Sequence, residues 1–287
     1  MAIKPRRSVL YLPGTNARAQ EKAKTLSADG LIFDLEDAVS PLAKDEARAC
    51  VSHTLTNSGY GHHELIVRVN PLSGPWGHAD VKAVAKLDID ALLLPKVESA
   101  EEVEQAKEAY LAAGGREDLP LWIMAETPRG ILNLDAVLGA STSIDVVVMG
   151  TTDLAKELRV PPDSERLGLL NALSHCITVA RAHCLDILDG VHLDFLNSTD
   201  FDSICAQGRR LGFDGKTLIH PCQIAEANRA FSPNAAAVNH AEKVLAAWQE
   251  AEREGKGMVV VDGRLVENLH LEEAKRLLEL HTAISGR

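Results

Sequence analysis

Residues 121–127 read LWIMAET and residues 146–153 read VVVMGTTD. Each is a short apolar run that ends on a polar or acidic residue. Runs this short, with no polar alternation, suit strands buried on both faces, as in parallel sheets covered by helices. Six more runs of this kind lie at residues 9–12, 31–34, 65–69, 91–95, 187–193 and 216–219. The connecting segments 17–28, 99–113 and 164–184 carry apolar and charged faces at helical spacing, and Ser99 with Glu102 fits a capping box. Eight strands, each followed by helical sequence, predict an α/β fold, a TIM (β/α)8 barrel. A doubly wound open sheet is the alternative. The glycine-rich fingerprint that would favour it is missing, because Pro13-Gly14-Thr15-Asn16 is not G-x-G-x-x-G.

The barrel is complete by residue 222, so residues 1–222 are expected as one domain and residues 223–287 as a C-terminal extension packing on a neighbouring subunit. The extension reads as a helix at 234–253, a Gly255-Lys256-Gly257 turn, an apolar run at 258–261 and a final helix at 271–284. Asp262-Gly263 between them is a hairpin turn signal.

Composition bounds the function. Of 287 residues, 46% are hydrophobic and 25% charged, close to the globular average, which excludes a disordered or membrane-embedded chain. Lys+Arg total 30 against 41 Asp+Glu, a formal charge of -11 that lacks the basic footprint of a general nucleic-acid binder. No apolar run is long enough to span a bilayer, and residues 1–7 lack the apolar region of a signal peptide. The cysteines, Cys50, Cys176, Cys184, Cys205 and Cys222, are odd in number and form no C-x-x-C pair. Reduced thiols in a cytoplasmic protein are the expectation.

Barrel enzymes carry their chemistry at the C-terminal ends of the strands. The residues just past those ends include Glu36-Asp37, Arg68, Lys96, Glu126, Thr152-Asp153 and His220. Glu126 and Asp153 follow successive strands, about 5 Å apart, and can share one cation. Two carboxylates without His or Cys beside them suit a hard ion such as Mg2+, which completes its octahedron with water and substrate. The competing reading is a pair of solvated loop acids. No H-E-x-x-H spacing exists, which argues against zinc. Arg68 is placed to pair with a substrate carboxylate, with the acids of the adjacent strand, or with both. Asp34, Glu36 and Asp37 either orient metal-bound water and Arg68, or simply favour a helix N-terminus.

These segments carry a resemblance. RSVLYLPG (7–14), DLEDAV (34–39), LPKVE (94–98), AET (125–127) with Gly130, GTTDL (150–154) and GKTLIHP (215–221) are together similar to the citrate lyase beta-subunit-like branch of the HpcH/HpaI aldolase superfamily, whose relatives include malyl-CoA and citramalyl-CoA lyases. The resemblance runs from about residue 6 to the C-terminal helix. It implies a Mg2+-dependent barrel, a homotrimer or dimer of trimers, that cleaves or forms a 3-hydroxyacyl-CoA thioester from an acyl-CoA and a 2-oxo acid.

By the same resemblance, Glu126 and Asp153 are the metal ligands and Arg68 binds the substrate carboxylate and oxo oxygen. Tyr11, Asn16, Lys22, Thr152, Ile219 and His220 fall at substrate or coenzyme A contacts, with Lys96 among the residues that support the ligands. Relatives often carry Arg where Asn16 stands. Lyases of the family carry an Asp, entering from the next subunit as acid/base, in a Met-Ile-Asp-like tail motif. Here the stretch is Gly263-Arg264-Leu265-Val266-Glu267, and Glu267 keeps the carboxylate with one more methylene. A Claisen-type carbon–carbon lyase is the leading expectation. The alternatives are a thioesterase or malate-synthase-like activity, a CoA-independent pyruvate aldolase, and a weakly catalytic binding subunit of a larger lyase.

Overall fold

All eight expected strands form, and they close on themselves. The computed structural model describes residues 3–57, 59–161, 163, 165–253, 255 and 257–287. In chain order the elements are β1 (Ser8–Pro13), α1 (Ala17–Ala23), β2 (Gly30–Asp34), α2 (Lys44–Thr56), β3 (Glu64–Arg68), α3 (Gly77–Val84), β4 (Ala91–Leu94) and α4 (Ala100–Ala112). They continue as β5 (Leu121–Ala125), α5 (Pro128–Ala140), β6 (Ile144–Met149), α6 (Thr151–Leu158), α7 (Leu170–Ala182), β7 (Asp186–Asp189), α8 (Ser198–Leu211), β8 (Gly215–Leu218) and α9 (Ile224–Phe231). Strands β1 to β8 form a closed barrel in sequence order, with β1 paired in parallel to β8 through Val9 and Thr217.

The period-2 geometry of a strand sends alternate side chains inward. Val9, Ile32, Ile66, Leu93, Trp122, Met124, Val146, Val148 and Leu188 fill the barrel interior. The other face of each strand packs against the helices in a larger cluster that includes Leu10, Leu31, Phe33, Leu92, Ile123 and Val147. At the N-terminal end, Arg6 closes the barrel. It is 6% exposed, donates to both oxygens of Glu64 at 2.8 Å, and reaches Asp186 at 2.8 Å and Asp145 at 3.1 Å.

The departures from expectation have local causes. The helix expected over 17–28 stops at Ala23, because Ala28 and Asp29 lead into β2 and the Asp29 N–H already bonds the Ser8 carbonyl at 2.9 Å. The run 187–193 is strand only to Asp189, and Val191 and Leu193 instead line cavities at the strand end. The helix expected over 164–184 is a 3-10 turn (Leu167–Leu169) followed by α7. Arg166, with φ 55°, takes the left-handed conformation, which a continuous helix cannot contain. Ser164, at that expected start, lies outside the described residues, as does Lys256 of the Gly-Lys-Gly turn.

The chain divides into two compact units, Arg6–Phe231 and residues 3–5 with 232–287. The first therefore runs past the expected boundary at 222. Ile224, Ala227 and Phe231 of α9 are buried in the same core cluster as the barrel helices, which ties that helix to the barrel. The second unit holds α10 (Ala235–Arg253), β9 (Val259–Val261), β10 (Arg264–Val266) and α11 (Asn268–Ser285). Asp262 and Gly263 both have positive φ, 49° and 76°, and join β9 to β10 as the two-residue hairpin the sequence announces. Val244, Val261, Val266 and Ala274 form its own small core. Among the described residues no helix is long and apolar enough to cross a membrane.

Candidate active site

Strand register builds the site. Asp34 and Arg68 are direct partners at the C-terminal ends of β2 and β3. Arg68 donates through Nε to Asp34 Oδ1 at 2.7 Å and through Nη2 to Oδ2 at 2.6 Å, a bidentate pair. Asp34 is itself fixed by the backbone N–H groups of Glu36 (2.9 Å) and Ala38 (3.0 Å). The Tyr11 ring lies 4.8 Å from the guanidinium, a cation–π contact from β1. Burial opposes the charge on Arg68, but Asp34, the hydrogen bonds and Glu36 outweigh it and hold the guanidinium protonated. Arg68 thus pairs with the β2 acids, as one of the two expectations has it, and it lines the mouth.

A cavity of about 310 Å3 opens there, lined by Tyr11, Asp34, Asp37, Arg68, Glu126, Thr152, Asp153 and Ile219 among others. Glu126 follows Ala125, whose register partner is Met149, so its side chain lies level with Gly150. A Cβ at Gly150 would stand 2.2 Å from Glu126 Oε2 and 2.3 Å from its Cβ, so only glycine permits this approach. Lys96 donates its backbone N–H to Glu126 Oε1 at 2.8 Å, from a left-handed conformation with φ 51°. Strain of that kind costs roughly 1–2 kcal/mol in an L-residue. Its Nζ lies 3.2 Å from Glu36 Oε1 and 3.7 Å from Asp153 Oδ2.

Negative charge is in excess here. Burial, then the neighbouring Glu36 carboxylate, push the Glu126 carboxyl up to about 7. Burial also raises Glu36, against the pull of Arg68. Glu36 Oε2 lies 2.9 Å from Arg68 Nη1, yet it is buried without a hydrogen bond: the pair is close but not aligned. Burial raises the Tyr11 phenol as well, which keeps it neutral. A buried carboxylate and an orphaned buried oxygen beside it fit a cation that the side chains alone do not supply. Among the described residues no group of three or more His, Cys, Asp and Glu is arranged to hold a metal. Glu126 and Asp153 both line the cavity, and a pair of carboxylates is a donor set that a hard divalent ion can complete with water and substrate.

Four other expected site residues are exposed. Asn16 is exposed and caps α1, accepting from the Ala19 N–H at 3.0 Å. Lys22 is exposed in the last turn of α1. His220 is exposed and stacks on Phe195 with centroids 4.6 Å apart. Glu267 belongs to the C-terminal unit, exposed at the start of α11, where its backbone N–H donates to His270 Nδ1 at 3.0 Å.

Sequence reading missed two supporting groups. Lys44 is buried in the wall of the mouth, its Nζ donating to the Leu35 and Glu36 carbonyls at 2.7 and 2.8 Å and to Asn70 Oδ1 at 2.8 Å, which fixes the loop carrying Glu36. Asp189 of β7 and Lys216 of β8, direct register partners, form a buried ion cluster with Arg166. A lysine inside an apolar strand run was the available signal for the second.

Similarity to known proteins agrees with this fold. The profile of the HpcH/HpaI aldolase/citrate lyase family matches residues 7–221. The chain is 48% identical over 282 residues to the (3S)-malyl-CoA thioesterase of Cereibacter sphaeroides, covering 98% of this chain and 96% of that protein. It is 35% identical over 278 residues to citrate lyase subunit beta of Escherichia coli, covering 95% and 92%. The crystal structure of CitE from Mycobacterium tuberculosis in complex with magnesium, acetoacetate and coenzyme A matches with a TM-score of 0.75 at 25% identity, over 96% of this chain and 97% of that one.

Proposed function

Because the chain belongs to the HpcH/HpaI aldolase/citrate lyase family, and so to a family of enzymes, we propose that it is a Mg2+-dependent hydrolase of malyl-CoA-type thioesters. The convergence of Glu126, Asp153 and Arg68 on one cavity carries the substrate class. The 48% identity to a malyl-CoA thioesterase, over nearly the whole chain, favours hydrolysis as the outcome. It reverses the order expected from sequence, where a carbon–carbon lyase led.

In this reading Glu126 and Asp153 would hold the magnesium ion, and the hydroxy-acid end of the malyl group would bind in the same cavity. Bound there, magnesium supplies Lewis acidity to the hydroxy-acid end. Arg68, locked by Asp34 and stacked on Tyr11, presents Nη1 to a substrate oxygen and stabilises negative charge on it. Lys96 holds Glu126 in place through its backbone N–H. Ile219 and Thr152 border the opening, and Asn16, Lys22 and His220 meet the coenzyme outside it. Water adds to the thioester carbonyl, the carbon–sulfur bond breaks, and the proton released by water passes to the departing thiolate. Glu267, contributed by another copy in a trimer or dimer of trimers, is the proposed base for that water.

The second reading is carbon–carbon cleavage, favoured by the 35% identity to citrate lyase subunit beta. There the malyl hydroxyl loses its proton as the carbon–carbon bond breaks to give glyoxylate, Glu267 protonates the departing enolate to acetyl-CoA, and the hydroxyl proton returns to Glu267 through solvent. Product analysis separates the two. Purified protein with magnesium and malyl-CoA should release free thiol and malate in equal amounts without glyoxylate. Glyoxylate and acetyl-CoA without free thiol would overturn hydrolysis in favour of the lyase.

A further inference from the structure

Two strong donors at the mouth converge on one weak acceptor. Arg68 Nη1 donates to Met124 Sδ at 3.6 Å, and Tyr11 Oη donates to the same sulfur at 3.9 Å. The other two guanidinium nitrogens of Arg68 are taken by Asp34. Nη1 has besides the sulfur only the misaligned Oε2 of Glu36. Tyr11 Oη has no other hydrogen-bond partner among the described residues. A thioether sulfur accepts weakly, so both donors are underused.

Strand geometry sets Met124 beneath the site. It stands two residues before Glu126 on β5, and side chains two apart share one face of a strand. Met124 packs in the barrel interior with Val148, its register partner, and with Tyr11. It is 4% exposed and lines the 310 Å3 cavity together with Tyr11, Arg68 and Glu126. Its side chain is therefore the floor between the cavity and the packed interior. An unbranched methionine can shift where a branched side chain cannot.

We propose that Met124 is a specificity-determining residue of this site, an inference that rests on the malyl-CoA-type substrate proposed above. A substrate hydroxyl oxygen that accepts from Arg68 Nη1 and Tyr11 Oη replaces the sulfur as their common acceptor, so it sits against the thioether. The carbon carrying that oxygen then abuts the Met124 side chain. The room left there decides whether this carbon bears a hydrogen, as in a malyl group, or a methyl, as in a citramalyl group. One such group in an apolar contact changes preference by about ten- to two-hundredfold.

The test compares wild type, Met124→Ala and Met124→Leu, with magnesium, on malyl-CoA and citramalyl-CoA. Consumption of thioester is followed, so the comparison reads the same for hydrolysis and for carbon–carbon cleavage. The ratio of two kcat/KM values does not depend on how much of a preparation is folded, so a less stable variant still reports. Wild type should prefer malyl-CoA by at least about tenfold. Met124→Ala should bring the two substrates to within about twofold, while Met124→Leu, which conserves volume, should keep the wild-type ratio to within about threefold. Calorimetric titration of malate and citramalate into the same three proteins should give the same order of preference without turnover. A wild type that takes both ligands equally, a Met124→Ala protein with the wild-type ratio, or a Met124→Leu protein that loses the preference as fully as Met124→Ala would each overturn the proposal. If wild type leaves both thioesters intact, the proposed function falls, and the titration alone decides the role of Met124.

Discussion

Arg6 and Arg68 are both buried arginines set among carboxylates, at opposite ends of one barrel. At the floor, Arg6 donates to Glu64, Asp186 and Asp145. At the mouth, Arg68 satisfies Asp34 but leaves Glu36 Oε2 without a hydrogen bond and Glu126 with its carboxyl pushed up to about 7 by burial and Glu36. Similar residue types therefore serve different ends. Both ends hold more carboxylates than arginines; at the floor each of the three accepts from Arg6, whereas at the mouth a buried carboxylate oxygen is left without a hydrogen bond. Buried polar groups left unpaired cost about 1–3 kcal/mol each, so the mouth carries an instability that a bound cation relieves and the floor does not.

Substitutions at each end should separate these roles. The largest effect is expected from Glu126→Gln, which should lower turnover roughly a thousandfold, about 4 kcal/mol in the barrier, without lowering the melting temperature. Steady-state rates beside a thermal scan check it. Arg6→Ala should do the converse: removing one partner of a buried ion network costs about 3–5 kcal/mol of stability, read by urea denaturation, while magnesium affinity of the folded protein stays as in wild type. A floor substitution that abolished magnesium binding would break the distinction between the ends.

Gly150→Ala should weaken magnesium binding about ten- to hundredfold, the scale seen when groups supporting a ligand are disturbed, because its Cβ displaces the Glu126 carboxylate. The smallest effect should come from Lys96→Met. Its ammonium is 39% exposed and stands near Asp153, where it competes with a divalent ion, so removing it should tighten magnesium binding by about a few-fold, given the screening at such a position. Weaker binding would show that Lys96 matters more as a support than as a rival charge.

The barrel was legible because parallel strands covered on both faces must be apolar throughout, and all eight runs stand out from amphipathic helices. The errors fell where tertiary contacts override local pattern. Val191 and Leu193 are apolar enough for a strand, yet they face cavities. Arg166 adopts a left-handed turn inside an apparently continuous helix, where its side chain reaches Asp189 and Gln207. At the candidate site, the shared position of Arg68, Glu126 and Asp153 on one cavity was legible from the rule that strand ends carry chemistry. Lys44 was not, because its partners Leu35, Glu36 and Asn70 come from two other segments that only the fold brings together.

One hard divalent cation, held by Glu126 and Asp153, is the proposed occupant of the acidic mouth. Calorimetric titration of magnesium into wild type and Asp153→Asn, side by side, tests it most directly. One magnesium per chain in wild type, weakened at least about a hundredfold in the variant at unchanged thermal stability, is the predicted result. Equal affinity in both proteins, or no magnesium bound by wild type, would contradict it.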